Sequence, residues 1–88
     1  NSVLEVGCGL GCISITLSLE GVSKDILAID ISSKAITASI LNAERLDCNN
    51  VTFTNDNIFH IKHKKKYDLI ISNPPYIPIS DIKNLDTL

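Results

Sequence analysis

The sequence contains no methionine, and a strand-like apolar run begins already at Val3, a combination expected of a piece cut from a longer chain. Its 88 residues suffice for one small domain and exclude two. Cysteine is scarce: three is an odd number and too few for a disulfide framework, and Cys8 and Cys12 lack the C-x-x-C spacing of a zinc site. Reduced thiols in a cytoplasmic protein are the plain expectation. His60 and His63 are too isolated to suggest a metal, so none is expected. No apolar run approaches the roughly 20 residues of a membrane span, and no charged-then-apolar leader opens the chain, so no membrane role is expected. The formal net charge of -2 argues against a general nucleic-acid or membrane-surface binder. The single basic run, "KHKKK" at 62 to 66, reads as a solvated turn before a strand.

What is present is an alternation of short apolar runs and helix-length segments. "SVLEV" (2 to 6), "DILAID" (25 to 30), "VTFTN" (51 to 55) and "YDLIIS" (67 to 72) read as strands. The second and fourth are nearly continuous in Ile and Leu, as parallel strands covered on both faces are. Between the second and third, "SSKAITASILNAERL" reads as a helix capped by Ser32 or Ser33, with Ile36, Ile40 and Ala43 recurring on one face. "ISITLSL" (13 to 19) alternates with strand period. A helix is expected there all the same, because a glycine turn leads into it and parallel strands need a crossover. Its apolar residues then fall on two opposed faces, the second available to a missing domain.

Glycine and proline are few and concentrated. Three of the four glycines lie in "EVGCGLG", Glu5 to Gly11, and all three prolines lie in "SNPPYIP", Ser72 to Pro78. The order strand, glycine turn, helix, strand, acid belongs to a nucleotide-binding half of an open α/β sheet, whose ligands sit at the carboxyl ends of the strands. The spacing separates cofactors. Dinucleotide folds use G-x-G-x-x-G, whereas Cys12 stands here where the third glycine should be; no Lys-Ser or Lys-Thr follows for a P-loop. Asp30 ends the second strand about 20 residues past the turn, where a carboxylate accepts hydrogen bonds from ribose hydroxyls; its alternative is to cap the following helix. Glu5, acidic in a buried strand, needs a donor or a cation, which a positively charged ligand would supply. Asp56 suits the exocyclic amine of an adenine, and "NDN" is equally ordinary turn chemistry.

In "SNPPYIP" the proline after Asn73 biases that residue to an extended conformation, and Pro74 and Pro75 hold the segment stiff without donating backbone hydrogen bonds. An Asn side-chain oxygen and a main-chain carbonyl together accept both hydrogens of a planar NH2 group. Tyr76 adds a flat face and a hydroxyl. "NPP" alone is a common loop opener; following the glycine turn and Asp30 in order, it reads as a site.

Taken together, "EVGCGLG", "AID" ending at Asp30, and "SNPPYIP" resemble the adenosylmethionine-dependent methyltransferases, over nearly the whole chain. The full "NPPYIP", with Asp81 nearby, is similar to the glutamine methyltransferases that act on peptide-chain release factors, the HemK type. The glycine motif is shared by many methyltransferase families, and N-P-P-Y narrows the choice to those acting on planar NH2 groups. The resemblance implies an α/β, Rossmann-like class I sheet, mostly parallel, present as an incomplete fragment of four strands and at least two helices. Residues 1–88 would be a partial cofactor-binding domain lacking an N-terminal substrate domain and C-terminal strands, and inactive alone. It implies S-adenosyl-L-methionine as cofactor, bordered by Glu5, Gly7, Cys8, Gly9, Leu10, Gly11, Asp30, Asp56, Asn57 and Asn73. Asn57 stands where many members carry a bulky residue, a place Ile31 or Phe59 would fill. Asn73, Pro74, Pro75 and Tyr76 would hold the substrate glutamine, with Asn73, Pro74 and Tyr76 catalytic and no dedicated base. The partner implied is a release factor, in translation termination. The rival readings are an adenine methyltransferase acting on DNA or RNA, a non-catalytic cofactor-binding module, and half of a dinucleotide dehydrogenase.

Overall fold

The computed structural model describes residues 1–58 and 66–72. Four strands and two helices follow in the order β1 (Ser2–Val6), α1 (Cys12–Leu19), β2 (Asp25–Asp30), α2 (Ser33–Arg45), β3 (Val51–Asn55) and β4 (Leu69–Ser72). The strands form one parallel sheet in the order β3-β2-β1-β4. The chain therefore reverses its direction of travel across the sheet between β3 and β4, and β1 is the switch point. At the amino end of the sheet, the Ser2 N–H donates to Asp68 Oδ2 at 2.7 Å, tying the start of β1 to the residue before β4.

Paired residues of parallel strands share a face. Val3, Ile26 and Val51 stand in one row, and Glu5, Ala28 and Phe53 in the next. Both helices lie on this face. Ile36 of α2 packs with Cys8, Ala28 and Phe53, while Ile15 of α1 meets Ala43, Cys48, Val51 and Phe53. Leu4 and Ile29, on the opposite face, are also buried. Among the described residues no helix is long and apolar enough to cross a membrane.

Ser32 is the cap of α2: its extended backbone (φ -89°, ψ 114°) lets Oγ accept the Ala35 N–H. At the other end Asp47 takes a left-handed φ of 55°, and the N–H groups of Asp47 and Cys48 reach back to the carbonyls of Glu44 and Ala43. That is a Schellman closure, completed by the apolar contact of Cys48 with Ala43.

Two sequence expectations are corrected. Ile40, expected on the buried face of α2 with Ile36 and Ala43, is 40% exposed, and Ser39 is buried in its place. β4 is shorter than 67 to 72, and among the described residues it is not covered on both faces, since Leu69 is exposed and Ile70 is 60% exposed. β4 is the edge of the described sheet and pairs there only with β1.

α1 is a helix despite its strand-like alternation. Ser14 and Ser18 join Ile15 on its buried side, while Ile13 and Leu19 are exposed. Residues four apart face the same way on a helix, so Ser14 and Ser18, two of the three polar positions that gave the period of two, are inward, while Thr16 is exposed. The burial of Ser14 has a local cause in the site.

Candidate functional site

The carboxyl ends of β1 and β2 meet at the glycine turn, residues 7 to 11. The N–H groups of Gly7 and Cys8 both donate to the Ile29 carbonyl, at 2.9 and 3.0 Å, so the turn is fastened to the end of β2. Gly9 and Gly11 have left-handed φ values of 57° and 82°. They differ in surroundings. A Cβ on Gly11 would stand 3.0 Å from Phe53 Cε1 and 3.1 Å from Ser39, whereas one on Gly9 would meet nothing within 4 Å. Gly11 is required by close approach to the protein itself; Gly9 faces open space, as the floor of a ligand site should.

Asp30 is the junction of this rim. Its Oδ2 accepts the Gly9 N–H and its Oδ1 the Ser32 N–H, both at 2.9 Å. The helix cap proper is Ser32, so capping does not account for the carboxylate. A carboxylate offers about four acceptor positions, and two backbone bonds leave room for hydroxyl donors. The Asp30 carbonyl meanwhile accepts from Asn55 Nδ2 at 2.9 Å and the Asp56 N–H at 3.1 Å. These bonds bring the end of β3 onto the same rim. Asp56 and Asn57 thus stand beside Asp30, and Asp56 Oδ1 accepts the Asn57 N–H at 2.7 Å, the turn chemistry of "NDN".

Beneath the turn lies Glu5, with 0% exposure. Ser14 Oγ donates to Glu5 Oε1 at 2.6 Å, which is why a serine points inward from α1. Glu5 Oε2 is buried without a hydrogen-bond partner among the described residues. Loss of hydration raises the Glu5 pKa above its ordinary value; the hydrogen bonds from Ser14 oppose this, and the charge of Asp30 adds to it. An acid whose pKa is raised by folding binds its proton more tightly when folded. Its contribution to stability is therefore present at low pH and is lost as pH rises from the ordinary value, about 4.5, through the raised one. Denaturation of the ligand-free full-length protein across that range is expected to show stability falling with pH, and Glu5→Gln is expected to flatten the slope. An unchanged slope in Glu5→Gln would assign the titration to another group.

α2 holds the turn from its other side. Ser39 Oγ donates to the Gly9 carbonyl at 2.7 Å and Asn42 Nδ2 to the Leu10 carbonyl at 2.9 Å. Cys8 is buried with its Sγ 3.9 Å from Ser39 Oγ, and burial pushes its thiol pKa up, away from reactivity. All three cysteines are free; Cys12, at the start of α1, is exposed.

The structure thus brings Glu5, Gly7, Cys8, Gly9, Leu10, Gly11, Asp30, Asp56 and Asn57 to one rim of the sheet. Asn73, Pro74, Pro75 and Tyr76 lie outside the described residues, as does Phe59; Ser72, immediately before them, pairs with Val6 at the threshold of the turn. Sequence reasoning missed Ser14, Ser39 and Asn42. Ser39 stands at helical spacing from Ile36 and Ala43, yet nothing local marks it as inward; Ser14, next to Ile15, and Asn42, next to Ala43, carried no such signal.

The residues present suit a cofactor that carries hydroxyls and a cationic group: Asp30 retains acceptor capacity, Glu5 Oε2 is an orphaned buried acceptor, and the face at Gly9 is open.

Comparison with known proteins agrees with this geometry. The chain is 41% identical over 88 residues to a release factor glutamine methyltransferase of Bacillus subtilis (strain 168); the match covers 98% of this chain and 30% of that protein's length. Among solved structures, a dimethyladenosine transferase from Plasmodium falciparum superposes with a TM-score of 0.70 at 28% identity, covering 98% of this chain and 30% of that one. A magnesium protoporphyrin IX methyltransferase from Synechocystis PCC 6803 with bound SAH superposes with a TM-score of 0.67 at 30% identity, covering 81% of this chain and 32% of that one. The family model of the methyltransferase small domain matches residues 1–84, and with the parallel sheet and glycine turn in place the chain belongs to that family.

Proposed function

We propose that the chain is part of a longer enzyme that transfers a methyl group from S-adenosylmethionine to the side-chain amide of a glutamine in a peptide-chain release factor. The observation that carries the cofactor half of this reading is the convergence on one rim of the open face at Gly9, the Asp30 carboxylate and the unpartnered Glu5 Oε2. Support for the substrate half comes from "NPPYIP" and from the glutamine methyltransferase of Bacillus subtilis, of which the chain spans 30%. The parts beyond residues 1–88 would include a domain that recognises the factor.

In this reading Asp30 accepts from the ribose hydroxyls, and Ile31, 79% exposed beside it, gives the adenine an apolar face. Asp56 takes the adenine amine. Glu5 meets the amino group of the cofactor, and a cation there draws off the proton that burial favours in the ligand-free protein. S-adenosylmethionine supplies an electrophilic methyl group that is already activated. The protein's task is then to position and desolvate the acceptor, and holding two reactants in line removes several kcal/mol of barrier. Asn73 and the carbonyl at Pro74 would accept the two amide hydrogens, orienting the nitrogen and stabilising the positive charge that forms on it.

Asp30→Ala is expected to weaken cofactor binding by about 2 kcal/mol through lost hydrogen bonds to a charged group. Calorimetry with S-adenosylhomocysteine (SAH) checks it, and an unchanged dissociation constant would confine Asp30 to fastening the turn. The test of the whole reading is mass spectrometry of release factors incubated with the full-length enzyme and S-adenosylmethionine. Methylglutamine in the factor supports it. Methyladenine in RNA or DNA with an unmodified factor would favour the rival that the dimethyladenosine transferase likeness brings to mind. Binding of NAD in place of SAH would overturn both.

A further inference from the structure

The glycine turn has the flexibility of its composition, yet its four carbonyls from Cys8 to Gly11 are all held. Ser39, with 0% exposure, holds the Gly9 carbonyl, and Asn42, three residues on and so on the same side of α2, holds that of Leu10. The carbonyls of Cys8 and Gly11 accept the N–H groups of Gly11 and Ile15, both at 2.9 Å. Every peptide bond described is trans, and in a trans peptide the C=O and the following N–H point in opposite directions. Drawing the Gly9 carbonyl toward α2 turns the Leu10 N–H away from it. Drawing the Leu10 carbonyl toward α2 aims the Gly11 N–H at Cys8. Gly9 and Gly11 flank these two planes and are free in both dihedral angles, so nothing in their own backbone resists a peptide flip. Such a flip would present a carbonyl where a donor stands, opposite a ligand whose carboxylate and ribose oxygens are acceptors.

We propose that Ser39 and Asn42 are positioning residues for the cofactor, locking two peptide planes of the glycine turn so that the Leu10 N–H stays turned toward the ligand and the Gly11 N–H stays closed on the Cys8 carbonyl. The proposal rests on the S-adenosylmethionine reading above. The two side chains act through the turn, and neither needs to touch the cofactor. Ser39 also suits the crowding at Gly11, since a hydroxyl on a short side chain reaches the Gly9 carbonyl within a space that leaves 3.1 Å for a Cβ on Gly11.

The test uses the full-length protein with Ser39→Ala and, separately, Asn42→Asp, which keeps the shape of the side chain but removes its donors. SAH affinity is measured by calorimetry, thermal unfolding by calorimetric scan, and amide hydrogen exchange without ligand. Each substitution removes one hydrogen bond that orders the binding backbone and is expected to raise the dissociation constant about three- to tenfold. The melting temperature should move by a few degrees, and faster exchange should be confined to residues 9 to 12. If the wild type binds SAH and both variants bind it equally well, the proposal fails while the cofactor reading stands. If affinity falls only together with global unfolding, with exchange rising throughout α2, the two residues are structural and the proposal is also overturned. A wild type that binds no SAH overturns the cofactor reading, and the proposal with it.

Discussion

Gly11→Ala is expected to destabilise the full-length protein by about 2 to 5 kcal/mol and to abolish cofactor binding. The left-handed φ of 82° disfavours any side chain by roughly 1 to 2 kcal/mol. The added methyl also presses on Phe53 Cε1 at 3.0 Å and on Ser39 at 3.1 Å, in a corner where Phe53 belongs to both apolar clusters. Overpacking of this kind adds about 1 to 3 kcal/mol. Gly9→Ala is the control. Its φ of 57° brings a similar backbone penalty, but nothing lies within 4 Å of the new carbon, so folding should suffer much less. SAH binding should still fall, because the methyl projects into the open face. Denaturant melts and calorimetry of the two variants separate these effects. Equal stability of Gly11→Ala and wild type would show that the turn relaxes more readily than its packing implies.

Asn73→Ala is expected to reduce methyl transfer in the full-length enzyme on the order of 100-fold while leaving cofactor affinity within about a few-fold, by analogy with a removed oxyanion-hole donor worth roughly 3 kcal/mol. The proposed role rests on the motif; Ser72, the last described residue before it, pairs with Val6, next to the glycine turn. The fixed φ of proline would let Pro74 and Pro75 set the backbone independently of the Asn side chain, so the expected loss is one of orientation and charge stabilisation. Asn73→Asp keeps an accepting oxygen and is expected to retain some activity, since the role assigned to Asn73 requires no donor. Single-turnover transfer to a release factor, alongside SAH calorimetry, decides the matter. A wild-type rate in Asn73→Ala would reduce "SNPPYIP" to a stiff turn.

The same expectations show how far the residues themselves carry the reading. β1, β2 and β3 were legible to the residue, because short apolar runs bounded by turn chemistry leave little choice. α2 was legible from Ser32 and the spacing of Ile36 and Ala43. α1 was not legible from its period, since Ser14 and Ser18 spoil the apolar stripe; the glycine turn leading into it and the need for a crossover between parallel strands identified it. Ile40 was misplaced because a stripe that includes it competes with one through Ser39, and the sequence cannot reveal that a serine is wanted inside.

By itself the sequence determined the parallel α/β architecture and picked out the acids and glycines that the structure gathers at one rim of the sheet. Each of these follows from local pattern: strand hydrophobicity, the backbone freedom of glycine, and a carboxylate at a strand end. Only the tertiary structure decided which partners those groups have. It gave Ser14 to Glu5 and left the other carboxylate oxygen without a partner among the described residues, and it made Asp30 the fastening of the turn. It also distinguished Gly11, pressed against Phe53, from Gly9, open to the site. The clamp from Ser39 and Asn42 spans 30 and 32 residues of chain. Such bonds depend on how α2 lies against the turn, which no local pattern encodes, because a hydrogen bond is decided by distance and direction between groups that only packing brings together.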